Sequence, residues 1–148
     1  MVSVRDLMTK DVATIDVSKT VHDAASLMSR RGVSCLVITE EKAPIGMVTE
    51  RDFVQAVVVN KLPFKTNISE IMKKPLITID PDSSLREAAR LMNRHRIRRL
   101  PVFKEGKIVG IITCTDFSRQ LGRRTITEDL LETMVRHFPR QEAAENNL

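Results

Sequence analysis

The chain has 148 residues, enough for one domain or two very small ones, and its net charge at pH 7 is +5. It contains no Trp or Tyr and only five Phe, so aromatic platforms for stacking single-stranded nucleic acid are not expected. Residues 1–64 hold eight basic and eight acidic side chains, whereas residues 65–148 hold sixteen and eleven. An anionic ligand is therefore expected to lie against the second part of the chain.

Cysteine and histidine usage argues against a metal site. Cys35 and Cys114 lack the CxxC spacing of metal or redox sites, and we expect them to be small apolar residues in or near strands. The three histidines are scattered without ligand spacing. No apolar run is long enough to span a membrane, and the N-terminus does not resemble a secretory signal, so a cytoplasmic protein is expected.

The first predicted elements are a short strand, a helix, two strands and a second helix. In chain order their sequences are ATID, SKTVHDAASLMSRRG, SCLVIT, IGMVT and ERDFVQAVVVN. The Val-rich start of segment 53–67 predicts a well-buried helix end, which Pro63 then stops.

The same β-α-β-β-α order returns further along. ITID (77–80) is a short β-prone run, and the helix after it has Asp82 or Ser83 as a candidate N-cap. Two strands, RRLPVF and IVGIIT, flank KEGK, where Gly106 allows a tight turn. CTDFSRQL then begins a helix.

These two sets of elements are an internal repeat. A shift of 64 residues aligns positions 4–53 with 68–117 without a gap, and sixteen of the fifty pairs are identical. The repeat includes the octapeptides GMVTERDF (46–53) and GIITCTDF (110–117). Since one unit has too small a core to stand alone comfortably, we predict two units packed sheet to sheet in one α/β domain with pseudo-twofold symmetry.

The C-terminal part lies outside the repeat. Residues 123–138 predict a helix with Thr127 as N-cap and an apolar stripe, and residues 139–148 predict a frayed polar tail. The stripe either packs back on its own domain or forms a dimer contact or docking face for a partner.

The openings DLMTKDVATID and EIMKKPLITID, the segment RIRRLPV and the two octapeptides resemble the pattern of a tandem pair of CBS domains. The resemblance places repeat 1 at residues 3–60, a linker at 61–67 and repeat 2 at 68–122. It implies an α/β (α+β) disc with two clefts between the repeats that bind adenine nucleotides such as AMP, ADP or ATP, or related adenosyl compounds, with no cofactor required. It also implies a non-catalytic sensor that commonly forms homodimers and passes ligand occupancy to an attached or separate effector.

The resemblance implies roles for the residues of this sequence that match the family pattern. Asp52 and Asp116 match the ribose-binding aspartate, and Thr49 and Thr113 match a hydroxyl that reaches ribose or phosphate. Each Asp alone could equally be a helix cap. The adenine slot is expected to be edged by two segments, which could also be ordinary strand residues: Thr14, Ile15, Thr78 and Ile79.

The two repeats differ where charge matters. Arg98 and Arg99 match basic positions that contact phosphate, and they replace Ser34 and Cys35 of the first repeat. We therefore expect unequal clefts, with one arginine facing the ligand, and a larger loss of binding for Asp116→Ala than for Asp52→Ala. Arg51 could contact phosphate or pair with a neighbour, and its counterpart Thr115 cannot supply charge.

The charge also leaves a second class of function open, a nucleic-acid-associated or scaffold protein using the basic second half and the C-terminal helix. Against it, the charges are mixed and no recognition helix stands out. Nothing in the sequence supports an enzyme, because no nucleophile arrangement, metal cluster or phosphate-binding glycine loop is present.

Overall fold

The computed structural model describes residues 2–121, so the predicted C-terminal helix and tail lie outside the described residues. The strands are β1 (Thr14–Asp16), β2 (Cys35–Glu40), β3 (Ala43–Thr49), β4 (Arg99–Lys104) and β5 (Lys107–Thr113). The α-helices are α1 (Val4–Leu7), α2 (Val21–Arg31), α3 (Glu50–Phe53), α4 (Leu85–His95) and α5 (Cys114–Leu121). A π-helical turn covers Val54–Val59 and a 3-10 turn covers Ile68–Glu70. Within residues 2–121, no helix combines the length and hydrophobicity needed to cross a membrane.

The predicted fold class, α and β elements in two repeats, is confirmed. In the first repeat β1 pairs parallel with β2, and β2 pairs antiparallel with β3. In the second repeat β4 and β5 form the equivalent hairpin. The helix α4 begins after Ser84, whose hydroxyl accepts a hydrogen bond from the Glu87 N–H at 3.1 Å. The cap is therefore neither Asp82 nor Ser83, the two predicted candidates, but the next residue.

The predicted strand at 77–80 is reduced to a single parallel bridge between Ile79 and Val102. In the first repeat the Val37 N–H donates to the Ala13 carbonyl at 3.1 Å. The residue equivalent to Val37 is Pro101, which has no N–H to donate. The Val17 N–H also donates to the Thr39 carbonyl at 2.8 Å, and its equivalent, Pro81, has no N–H either. The loss of these two ladder bonds explains why the second repeat lacks the strand that the first repeat has.

Each repeat has its own hydrophobic core, but the opening segment of each repeat packs into the core of the other. Val4 is fully buried among residues of the second repeat, and Ile68 is fully buried among residues of the first. Backbone hydrogen bonds hold the exchange, including Val4 N–H to the Ser83 carbonyl at 3.0 Å and Ile68 N–H to the Lys19 carbonyl at 2.9 Å. The consecutive units seen in the sequence are therefore interlocked in space.

The opening segment of each repeat passes close over the glycine that starts the octapeptide of the other repeat. A Cβ at Gly110 would lie 2.6 Å from Met8 Sδ and 3.0 Å from the Thr9 carbonyl oxygen. A Cβ at Gly46 would lie 2.9 Å from both Met72 Sδ and the Lys73 carbonyl oxygen. Only glycine allows this close approach at both positions without a shift of the neighbouring chain.

The expectation that the Val-rich segment is well buried was wrong. Val54, Val58 and Val59 are 54%, 69% and 58% exposed, whereas Ala56 is buried. A helical turn presents only one side to a core, so a run of consecutive valines must place several of them outward.

The two hairpin turns predict a stabilising substitution. The turn residues Glu41 and Lys42 have φ angles of 48° and 68°, and their counterparts Glu105 and Gly106 have 49° and 80°. Because a left-handed conformation strains every residue except glycine, Lys42→Gly should raise the free energy of unfolding by about 0.5–1 kcal/mol. Urea unfolding followed by circular dichroism measures the change.

The matched control is Gly106→Ala, whose new Cβ would meet nothing within 4 Å, so its effect reports the backbone angle alone. It should destabilise by a similar amount. A Lys42→Gly variant less stable than the parent would contradict this explanation.

Candidate functional site

Two cavities lie where the repeats meet, and each is lined by residues of both repeats. The Asp116 cavity has a volume of about 880 Å³ and combines Thr113, Thr115 and Asp116 with Val12 and Ala13. The Asp52 cavity has a volume of about 660 Å³. It is lined by Thr49, Arg51, Asp52, Leu76, Ile77 and others.

The two cavities are related by the internal repeat. Leu76 and Ile77 follow Val12 and Ala13 by 64 positions, as Asp116 follows Asp52. In each cavity the Thr-x-x-Asp motif comes from one repeat and the apolar segment comes from the other. The predicted pair of clefts between the repeats is therefore present in the fold.

Both aspartates close a capping arrangement with the threonine three residues earlier. Asp116 Oδ2 accepts from the Thr113 N–H at 2.8 Å and from the Thr113 hydroxyl at 3.2 Å. Asp52 Oδ2 has the same two contacts with Thr49, at 2.8 and 3.2 Å. The capping interpretation of these residues is thus correct, and it occupies one carboxylate oxygen in each case.

The second oxygen of each aspartate faces a cation. Asp116 Oδ1 accepts from Arg119 Nη2 at 2.7 Å, and Asp52 Oδ1 lies 3.6 Å from Lys73 Nζ. The side chains of Asp116 and Asp52 are only 3% and 10% exposed, whereas Arg119 and Lys73 are 69% and 71% exposed. Because both cations are largely exposed, they can turn to solvent when a ligand hydroxyl takes their place and donates to Oδ1.

Arg98 and Arg99 do not belong to one cleft. Both line the Asp116 cavity and both line the Asp52 cavity. Arg99 is half-buried and its Nη2 donates to Ser34 Oγ at 3.0 Å, and Ser34 also lines both cavities. The premise that these arginines distinguish the two clefts was wrong, because they lie between them.

Charge distinguishes the cavities in another way. The Asp52 cavity is lined by five basic side chains and two acidic ones: Arg51, Lys73, Arg96, Arg98, Arg99, Glu50 and Asp52. The Asp116 cavity is lined by three basic and two acidic ones: Arg98, Arg99, Arg119, Asp11 and Asp116. The Asp52 cavity therefore has the larger positive excess.

The structure does not bring Thr14, Ile15, Thr78 or Ile79 to either of these two cavities. Ile15 and Ile79 are buried in the two hydrophobic cores, and Thr14 is exposed on β1. Since alternate strand residues face opposite sides, the side chains of Ile15 and Ile79 point into the core of their own repeat and away from the cavities. The two residues directly before each threonine, Val12–Ala13 and Leu76–Ile77, supply the apolar lining instead.

Sequence reasoning also missed Lys73, Arg96 and Arg119 as lining residues. For Arg119 the signal was its place three residues after Asp116, within one helical turn. For Lys73 no local signal existed, because its position follows from the exchange of opening segments between the repeats.

Both cysteines line the Asp116 cavity and are partly buried. Burial raises the pKa of the Cys35 thiol and of the Cys114 thiol, and the Arg99 charge opposes this in both. The two groups are therefore protonated at neutral pH and contribute soft apolar surface to the cavity wall. Over residues 2–121, no cluster of three or more His, Cys, Asp or Glu side chains is arranged to hold a metal ion.

Comparison with known proteins identifies the family. The CBS domain profile matches residues 4–59 and 68–123, and the chain belongs to the CBS domain family as a tandem pair. It is 36% identical over 118 residues to the CBS domain-containing protein YhcV of Bacillus subtilis (strain 168). That alignment covers 80% of this chain and 84% of the relative.

Solved structures of similar proteins include assemblies and a ligand complex. A hexameric CBS-CP12 protein from bloom-forming cyanobacteria has a TM-score of 0.73 and 35% identity, covering 79% of this chain and 66% of that one. The CBS domain pair of MJ0100, solved with 5-methylthioadenosine and S-adenosyl-L-methionine, has a TM-score of 0.74 and 28% identity. That match covers 84% of this chain and 98% of the neighbour.

Proposed function

We propose that the chain is a non-catalytic regulatory module that binds an adenine nucleotide in the two cavities between its CBS repeats. The observation that carries the proposal is the composition of each cavity: a buried aspartate from one repeat, an apolar segment from the other, and arginines shared between them. The complex of MJ0100 with two adenosyl compounds supports an adenosine-containing ligand.

The chemistry of an adenine nucleotide fits these three features. An apolar slot such as Leu76–Ile77 accepts the base, and a carboxylate oxygen of Asp52 or Asp116 accepts ribose hydroxyl protons in charge-assisted hydrogen bonds. The planar guanidinium groups of Arg98 and Arg99 bind phosphate oxygens in pairs. AMP, ADP and ATP all carry these parts.

Signal transfer follows from the position of the cavities. Because each is lined by both repeats, a ligand that binds one relative placement of the repeats more tightly shifts the population toward that placement. A separate effector protein or a second copy of the chain reads the change. We propose a homodimer. The hexameric CBS-CP12 neighbour and the exposed valines Val54, Val58 and Val59 support self-association.

Isothermal titration calorimetry of the purified chain with AMP, ADP, ATP and S-adenosylmethionine tests the proposal. We expect at least one adenine nucleotide to bind with a dissociation constant on the order of micromolar, which corresponds to about −8 kcal/mol. Arg98→Gln should weaken it about tenfold or more, because a hydrogen bond to a charged group is lost. Absence of binding by all four compounds would contradict the proposed function.

A further inference from the structure

We propose that the two cavities share a single phosphate-binding locus, so that occupation of one by a phosphorylated ligand weakens phosphate binding in the other. This inference rests on the proposed function and concerns how its two sites are coupled. Three residues line both cavities: Ser34, Arg98 and Arg99. They form the wall between the cavities.

Equivalent positions of the two repeats meet at this wall. Ser34 and Arg98 occupy equivalent positions of the two repeats, 64 residues apart. The Arg99 side chain reaches across to the first repeat, where its Nη2 donates to Ser34 Oγ at 3.0 Å. The first repeat has Ser34 and Cys35 at the positions where the second has Arg98 and Arg99. The wall therefore contains two guanidinium groups, not the four that two identical repeats would supply.

One pair of guanidinium groups must therefore serve two ligands. A phosphate monoester carries a charge of about −1.5 to −2 at pH 7. Two such groups bound to neighbouring guanidiniums are expected to lie closer than the Debye length, which is about 8 Å at physiological ionic strength, so salt screens their repulsion only in part. In addition, the guanidinium N–H groups that would bind the second phosphate already donate hydrogen bonds to the first. Adenosine has no phosphate and should not experience either effect.

The remaining charges decide which cavity is filled first. The cations that line only one of the cavities are Arg51, Lys73 and Arg96 for the Asp52 cavity and Arg119 for the Asp116 cavity. Phosphorylated ligands therefore fill the Asp52 cavity first. The Asp116 cavity is left to a second ligand with less charge.

The test is calorimetric titration of the full chain and of Asp52→Asn with AMP, and with adenosine as the uncharged control. In Asp52→Asn, the first AMP binds to the Asp116 cavity while the shared arginines are free. We expect the second AMP to bind the parent protein at least about tenfold more weakly than the first AMP binds this variant. For adenosine, the affinity of the Asp116 cavity should agree within about twofold between the parent protein and this variant, since independent sites show no coupling energy.

A second pair of variants checks the shared wall. Arg98→Gln should weaken both AMP binding steps, and Arg51→Gln, which changes a residue lining only the Asp52 cavity, should weaken only one. Two AMP molecules that bind independently, or an Arg98→Gln effect confined to one step, would overturn the shared locus and leave the proposed function intact. Absence of binding by both AMP and adenosine would overturn the proposed function and this inference together.

Discussion

Replacing Ile68 by alanine should lower the free energy of unfolding by about 2–5 kcal/mol, the range for removing a large aliphatic side chain from a packed core. Ile68 belongs in sequence to the opening of the second repeat, yet it is fully buried in the core of the first. The substitution leaves a cavity in that core and weakens the attachment of the exchanged segment. Chemical denaturation monitored by circular dichroism gives the value.

Two comparisons make this result specific to the exchange. Val4→Ala changes the equivalent residue, which is fully buried in the other core, and should also destabilise, by less because fewer atoms are removed. Val58→Ala removes a side chain that is 69% exposed and should change stability by less than about 0.5 kcal/mol. An Ile68→Ala effect as small as that of Val58→Ala would show that the opening segments are not part of the cores.

Replacing Asp52 by asparagine should weaken ATP binding by about 10- to 100-fold, because charge-assisted hydrogen bonds to the ribose are lost. Asparagine retains one oxygen, which can keep the capping contacts to the Thr49 N–H and hydroxyl. Its amide nitrogen then faces the ribose and Lys73 in place of a carboxylate oxygen. The fold should be kept while the ligand contact is lost, and calorimetry on a variant with an unchanged unfolding midpoint measures the effect.

Asp116→Asn is the matched control in the other cavity. It should weaken ATP binding less, because the Asp52 cavity has the larger excess of basic side chains. This reverses the expectation from the sequence, which assigned Arg98 and Arg99 to one cleft. A larger effect of Asp116→Asn than of Asp52→Asn would contradict the charge argument.

Much of the fold could be predicted because the repeat makes each element appear twice. The recurrence of Gly, Thr and Asp at fixed positions of the sequence is enough to indicate the family and to single out the two aspartates. The hairpin at Gly106 was predicted from the turn chemistry of a glycine in the left-handed region, and it lies between β4 and β5.

The errors arose where sequence neighbours are not spatial neighbours. No local pattern shows that Val4 and Ile68 pack into the opposite repeats, and this exchange also brings Lys73 to Asp52. The strand predicted at 77–80 is missing because two prolines remove ladder donors: Pro81 directly after the segment and Pro101 on its pairing partner. The assignment of Arg98 and Arg99 to one cleft was wrong for a similar reason. Alternation along a strand indicates which way each side chain points, but it does not show that both arginines border two cavities.

A crystal structure of the chain grown with AMP tests the central claim most directly. The nucleotide should lie between the repeats, with its base against Leu76–Ile77 or Val12–Ala13, its ribose at Asp52 or Asp116, and its phosphate at Arg98 and Arg99. The Asp52 cavity should be the first to fill as the AMP concentration is raised. AMP bound away from both aspartates, or both cavities empty at millimolar AMP, would contradict the assignment of these cavities as nucleotide sites.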